Sequence, residues 1–373
     1  MSNPRIYLAS PHICGKEMQY IQQAFDTNWI APLGANVTGF EEALEKYINY
    51  EHALALSSGT AALHLALKLC GIKSGDKVFC QSLTFSASCN PIIYENATPV
   101  FIDSEQTTWN MDPDALIKAI QEYGIPQALI AVDLYGTPCQ SHRIAEICKE
   151  YGIAFIEDAA EALGSTMNGQ HVGTIADYAV LSFNGNKIIT TSGGGALLVH
   201  RKEEKEKALF WATQAREKKP WYEHKELGYN YRLSNICAGI GRGQLSALED
   251  RVQKKREILT RYKEGFEEIK EISIKKEEEG VRANNWLSTI LISDDSSISP
   301  MDIVNRLEEE NIEARPIWKP MNIQPFYKNY PFVQIASTPV CERIFNRGVC
   351  LPSDTKMTDE QQKRIIKLIE DMF

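Results

Sequence analysis

A single lysine, Lys187, stands in the neutral stretch SFNGNKIITTSGGGALLV (182–199), with no other charged residue between Asp177 and His200. A lysine amine of ordinary pKa, about 10.4, is protonated at neutral pH and a poor nucleophile. Removal from water disfavours the charged form, so a lysine among small neutral residues can form a Schiff base. The alternative is a loop lysine whose amine reaches solvent. A second candidate is IAFIEDAAEALG (153–164), where an apolar run meets Glu157 and Asp158. An acid at the carboxyl end of a strand can face a bound group. A carboxylate opposite a pyridine nitrogen keeps that nitrogen protonated and makes the ring an electron sink. Asp158 can equally cap the turn that follows it. The third is LSSGTAALHLALKL (56–69), where a strand turns through Ser57, Ser58 and Gly59 into a helix with Thr60 in its first turn. Free N–H groups and the helix dipole suit an anion there. Plain capping by Ser58 or Thr60 needs no ligand.

These residues need a scaffold. Between residues 50 and 200, short apolar runs alternate with helical patterns. HALAL (52–56), KVFCQ (77–81), TPVFID (98–103), QALIAVDL (127–134), IAFIEDAA (153–160), YAVLSF (178–183) and GALLVH (195–200) read as strands or strand ends. The segments 58–71, 112–124 and 141–152 read as helices. This alternation predicts an α/β domain with a mostly parallel sheet covered on both faces. From Ser234 the pattern becomes one long charged helix, kinked around Gly239 to Gly243, leading into a smaller domain. That domain has a strand in 285–292 and helices near 300–311 and 358–371. The expected division is a large domain over 1–245 and a small C-terminal domain over 246–373.

The chain has 373 residues, 43% of them apolar, and a formal charge of −9. That balance argues against nucleic-acid binding, which depends on neutralising phosphates. The nine cysteines form no C-x-x-C pair, so neither a disulfide framework nor a zinc site is expected. The seven histidines lack metal-ligand spacing, and no metal is expected. No signal-peptide pattern and no apolar run of membrane-spanning length occur, so the expectation is a cytoplasmic protein without a membrane partner. GNKIIT lacks phosphate-loop spacing, and SGGGALLV runs from glycines into a strand, the reverse of a dinucleotide fingerprint.

Taken in order, a Gly-Thr helix start, the aromatic of TFSAS (84–88), strand-Glu-Asp and Ser-x-x-x-x-Lys resemble the DegT/DnrJ/EryC1/StrS family of pyridoxal-phosphate sugar aminotransferases. NWIAPLG (28–34), GYNYRLSN (228–235), EARPIWKP (313–320) and RGVCLPS (347–353) extend the resemblance along nearly the whole chain. It implies an α/β fold of the aspartate aminotransferase type (fold type I), with a large mixed, mostly parallel sheet domain and a smaller C-terminal α/β domain. By resemblance, Lys187 holds pyridoxal 5'-phosphate, Asp158 partners the pyridine nitrogen and Phe85 stacks on the ring. Gly59, Thr60, Ala61 and Ser182 cradle the phosphate. Glu161 lies near the phenolic oxygen, where family members commonly carry Gln or His. Asn230 reaches the phosphate of a neighbouring subunit, which implies a homodimer with shared sites.

The family's usual T-T-G-E-G-G is here Thr190-Thr191-Ser192-Gly193-Gly194-Gly195. With Glu161, this resembles a narrower branch, the bacillosamine-pathway and exopolysaccharide-cluster aminotransferases. Those act on UDP-linked 4-keto-6-deoxy-N-acetylglucosamine, with L-glutamate as donor and pyridoxamine phosphate as the form between half-reactions. Asn322 departs from the His that often follows the WKPM or WKPL of that branch. The same resemblance implies substrate contacts from Asn28, Trp29, Ile30 and Ala31, and from Arg315, Pro316, Ile317, Trp318 and Lys319. Arg315 and Lys319 would meet the phosphates of the sugar nucleotide, unless they are ordinary surface charges.

Overall fold

A computed structural model describes residues 4–373. Its main sheet contains β1 (His52–Leu56), β2 (Lys77–Gln81), β3 (Thr98–Ile102), β4 (Ala128–Val132), β5 (Ala154–Asp158), β6 (Tyr178–Ser182) and β7 (Gly195–Val199). The order is β1-β7-β6-β5-β4-β2-β3, with the short strand Phe332–Val333 outside β3. Neighbours run parallel except that β7 is antiparallel to both β1 and β6. The strands are almost wholly buried because helices cover both faces. Along β1, Leu54 and Leu56 enter the core beneath the helix Gly59–Leu69, while Ala53 and Ala55 enter the core on the opposite face. The same alternation puts Asp158 on the face of Ile156, the Gly59–Leu69 side, and Glu157 on the other. On that far side the Asp133 and Glu157 carboxyls abut, and burial pushes both pKa values up.

The expected single helix beyond Ser234 is two helices, Asn235–Leu245 and Leu248–Gly265. Ser234 caps the first, its Oγ accepting from Cys237 N at 3.1 Å. The break falls at Ser246–Ala247, not at the glycines. Those glycines permit close packing instead. A Cβ at Gly239 would lie 3.2 Å from the Tyr20 carbonyl carbon, and one at Gly243 would lie 2.8 Å from Glu17 N. Both approaches come from the helix Glu17–Asp26, which the sequence reading did not anticipate.

The second unit is an antiparallel sheet of Ile272–Ser273, Ser288–Ile292, Gly348–Leu351 and Arg315–Pro316, in that order. The helices Leu248–Gly265, Pro300–Glu309 and Asp359–Glu370 pack with it around Ile258, Tyr262, Ile303, Leu307 and Ile365. Ile6 belongs to this core and pairs with Ile312. Phe332–Val333 crosses the other way, onto the main sheet. Among the described residues no helix is long and apolar enough to cross a membrane.

Candidate active site

At the carboxyl ends of β1, β5 and β6 lies a cavity of about 240 Å3. The β1 end supplies the first wall. Ser58, extended at φ −167°, caps the helix Gly59–Leu69, and its Oγ accepts from Ala61 N at 3.0 Å. The capping reading of this motif therefore holds, and it does not spoil the anion site. Ser57, Ser58, Gly59 and Thr60 line the cavity at a helix N-terminus. Ala61 does not line it, and its N–H is already taken by Ser58. Ser182 closes the cradle from β6: a Cβ on Gly59 would sit 3.3 Å from Ser182 Cβ. Gly195 packs against the same turn, where a Cβ would lie 2.4 Å from Gly59 N.

The β5 end supplies the acids. Asp158 is 4% exposed; its Oδ2 accepts from Ser88 Oγ at 2.6 Å and its Oδ1 from Ala160 N at 3.2 Å. Ser88 in turn lies 2.7 Å from Thr84 Oγ1. Asp158 thus both caps the following turn and faces the cavity. Burial raises its pKa; the Ser88 and Ala160 donors and the nearby Lys187 charge oppose that rise. Glu161, equally buried, accepts from Lys187 Nζ at 3.1 Å and from Tyr135 N at 2.7 Å. Burial also raises its pKa, against the pull of Lys187.

Lys187 follows β6, and its Nζ sits 4.2 Å from the centroid of the Trp286 ring. Trp286 is fixed by its indole N–H, which donates to Asn186 O at 2.7 Å. The Lys187 side chain is 12% exposed, so the solvent-lysine alternative does not describe it. Phe85 and Trp318 stand with ring centroids 5.4 Å apart, and Phe85 is 58% exposed. Gly193 and Gly194, from the variant glycine run, complete the lining.

The set fits a phosphorylated pyridine aldehyde. It offers an amine, an acid 70 residues beyond the hydroxyl that holds it, a flat aromatic and a helix-start cradle that a Cβ would fill. A larger cavity, about 610 Å3, lies between the helix Leu248–Gly265 and the segment 274–289. Its walls mix Arg256, Lys263 and Lys276 with Glu257, Glu264 and Glu278, and it shares none of the cofactor residues.

The DegT/DnrJ/EryC1/StrS aminotransferase family model matches residues 11–370. The chain belongs to that family. The aminotransferase is 50% identical to the Bacillus subtilis protein EpsN, provisionally named a pyridoxal phosphate-dependent aminotransferase, over 99% of this chain and 96% of that one. It is 35% identical to the GDP-perosamine synthase of Escherichia coli O157:H7, over 97% of each. A provisionally named sugar aminotransferase of Streptococcus pneumoniae, solved in its pyridoxal phosphate form, superposes with a TM-score of 0.89 at 26% identity over the full length of both chains. The protein is therefore a pyridoxal phosphate-dependent sugar aminotransferase with the expected α/β architecture.

Other expected contacts of the aminotransferase do not meet in one chain. Asn28, Trp29, Ile30 and Ala31 form a surface loop outside the cavity, tied down by Asn235, which donates to Trp29 O and Ala31 O. Asn230 is exposed and bonded to Gln214 at 3.5 Å. Within the segment 315–319, only Trp318 lines the cavity. Arg315 is exposed and paired with Glu313 at 2.9 Å; Ile317 is 1% exposed in the core, and Pro316 is in an edge strand. Lys319 lies outside the lining, and Asn322 is held between Ser82 and Glu342. Arg315 as seen here fits the ordinary-surface-charge reading. Sequence reasoning missed Ser88, Tyr135 and Trp286.

Proposed function

We propose that this aminotransferase moves the amino group of L-glutamate to the C4 ketone of a nucleotide-linked 4-keto-6-deoxy sugar, with UDP-4-keto-6-deoxy-N-acetylglucosamine as acceptor. The observation carrying this reading is the enclosed amine: Lys187 Nζ lies within a hydrogen bond of Glu161, in the cavity that Asp158 and the Gly59 helix start also line. The UDP sugar rests on the branch-like Glu161 and Ser192-Gly193-Gly194 variants. A GDP-linked acceptor is the second reading, supported by likeness to GDP-perosamine synthase.

Bound pyridoxal phosphate supplies an electron sink for carbanionic charge at the amino-acid Cα. In this reading Lys187 anchors the cofactor and, once freed, carries a proton off Cα and delivers it within the same pocket. Asp158, whose charged form the Ser88 hydroxyl and the Ala160 N–H favour, faces the ring nitrogen and keeps it protonated. The dipole of the helix Gly59–Leu69, with Thr60 and Ser182, holds the phosphate. Phe85 and Trp318 form the aromatic wall at the mouth.

We also infer a homodimer with shared sites. Trp29, Ile30, Phe85, Trp221, Tyr222 and Leu227 are between 46% and 76% exposed, large apolar side chains that a partner would cover. Asn230 would then serve the neighbouring site. Light scattering of the purified protein should give twice the chain mass.

L-Glutamate alone should convert the cofactor to its pyridoxamine form, and Lys187→Arg should abolish turnover rather than raise KM. Normal turnover in that variant would refute the site. A panel of UDP-, dTDP- and GDP-linked 4-keto-6-deoxy sugars, with products identified by NMR, decides the acceptor; preference for a dTDP or GDP sugar overturns the UDP reading alone.

A further inference from the structure

We propose that Glu161 is the base that takes the proton from the Lys187 ammonium when the amine engages the cofactor aldehyde, and the store that returns it when the lysine is freed. This rests on the reading of Lys187 as the anchoring amine.

Among the described residues, Glu161 is the acid paired with Lys187, at 3.1 Å through Oε1. Asp158, the other acid of the cavity, is committed to Ser88 and to the Ala160 N–H. Nζ also lies over the Trp286 ring face, which attracts a cation but accepts no proton. The direct transfer path leads to Glu161 Oε1.

The charged form of Glu161 has few supports. Its Oε2 accepts a single backbone N–H, from Tyr135, and the side chain is 3% exposed. The titratable groups around it are Lys187, Asp158, Tyr135, Cys350 and Lys275. Asp158 opposes a second negative charge. Lys275 bonds elsewhere, to Thr108 O and Thr137 Oγ1. Lys187 is thus the cation in direct contact with the Glu161 carboxylate. When the amine loses its charge, a buried carboxylate beside another acid is left without that partner, and protonation removes the cost.

The transfer balances. A proton passes from Nζ to Oε1, the N–H bonding pair becomes the nitrogen lone pair, and the charge of the pair stays zero. The neutral amine then forms a carbon–nitrogen double bond to the aldehyde carbon; the aldehyde oxygen leaves as water with the two remaining amine hydrogens. A Gln or His near the phenolic oxygen can hydrogen-bond it, but Gln cannot store a proton. The carboxyl here adds that capacity.

The test follows covalent attachment of pyridoxal phosphate to the cofactor-stripped full chain by stopped-flow absorbance from pH 6 to 9. The wild-type rate should be nearly flat across this range. Glu161→Gln should be slower at pH 7 by about 10²–10⁴-fold and should climb with pH, because solvent must then remove the proton. Glu161→Asp keeps a carboxyl and should regain the flat profile, even if slower, which also guards against a Gln variant that folds poorly. A Glu161→Gln rate within about threefold of wild type at every pH, or an Asp variant that climbs like Gln, overturns the proposal. Lys187→Ala should show no attachment; attachment there would instead refute Lys187 as the anchor.

Discussion

Gly195 offers the sharpest test of how the sheet builds the cradle. It sits on β7, opposite Leu56 of β1 and Ser182 of β6. Its backbone is ordinary, so replacing it with alanine introduces no conformational strain, only volume. The added Cβ would lie 2.4 Å from Gly59 N, 2.4 Å from Ser58 C and 2.6 Å from Ser58 O. All three are backbone atoms of the turn that caps the helix Gly59–Leu69, so none can rotate away. Ordinary contact needs a further displacement of about 1 Å, and overpacking of this kind costs about 1–3 kcal/mol. For a chain of this size that corresponds to a Tm drop of about 1–4 °C. The same displacement moves one wall of the phosphate cradle relative to Ser182, and a misplacement of about 1 Å can cost about 10²-fold in rate. Gly59→Ala is the matched control. Its Cβ meets Ser182 Cβ at 3.3 Å, a few tenths of an ångström too close, so its loss should stay below about tenfold. The assays are thermal melting of the cofactor-loaded protein and the rate of the glutamate half-reaction. A Gly195→Ala protein with unchanged Tm and a rate no worse than that of Gly59→Ala would refute the reasoning.

Three further perturbations report on charge. Ser88→Ala removes a donor that lowers the Asp158 pKa, so the acid limb of the pH–rate profile should move to higher pH; an unmoved limb would break the link between that hydroxyl and the carboxylate. Glu17 accepts from Cys14 N at 2.8 Å, Gly15 N at 2.9 Å and Gln244; against the upward push of burial, the Cys14 and Gln244 donors help pull its pKa down to about 2. Its stabilisation is present above the ordinary carboxylate value and is lost as pH falls towards 2; Glu17→Gln should cost about 1.5–3 kcal/mol at pH 7 and flatten the acid limb in urea melts. Lys255 donates to Trp286 O at 2.8 Å and Ser353 O at 2.5 Å, yet burial lowers its pKa to about 7. Between about pH 7 and 10.5 the unfolded chain binds more protons there, so this residue makes stability rise with pH. Lys255→Met should lose that slope between pH 7 and 9.5, and an identical slope in the variant would contradict it.

The parts of the site legible in the sequence are those a strand end fixes locally. Gly59, Asp158 and Lys187 each follow an apolar run, and in a parallel sheet the carboxyl ends of those runs converge on one edge. Short apolar runs also placed the seven main strands within a residue or two. It could not give their directions. β7 is as apolar as its neighbours, and only the backbone pairing makes it antiparallel to both. Ser88 and Trp286 were illegible for a different reason: each acts across a long gap. Ser88 reaches an acid 70 residues on, and Trp286 arrives on the second unit to lie over Lys187. No local pattern marks either, although a tryptophan beside Asn284 and Asn285, just before an apolar strand, is a weak signal of a fixed turn.

The expected contacts that fall outside the cavity follow a related logic. Asn28, Trp29, Ile30 and Asn230 are all exposed in the single chain, while Phe85, which does line the cavity, is itself more than half exposed. A cofactor pocket with an aromatic wall open to water is incomplete as a water-excluding site. Either substrate covers that wall, or a second chain does. Exposed Trp221, Tyr222 and Leu227 lie in the segment that leads to Asn230, so a surface carrying that asparagine to a neighbouring cavity would bury them too. Replacing Tyr222 and Leu227 with lysine should therefore do two things together if the shared-site reading holds: convert the dimer to monomer in light scattering, and weaken cofactor retention on dialysis. Loss of the dimer with cofactor retention unchanged would separate the two, and would mean that each chain holds its cofactor without help from Asn230 of a neighbour.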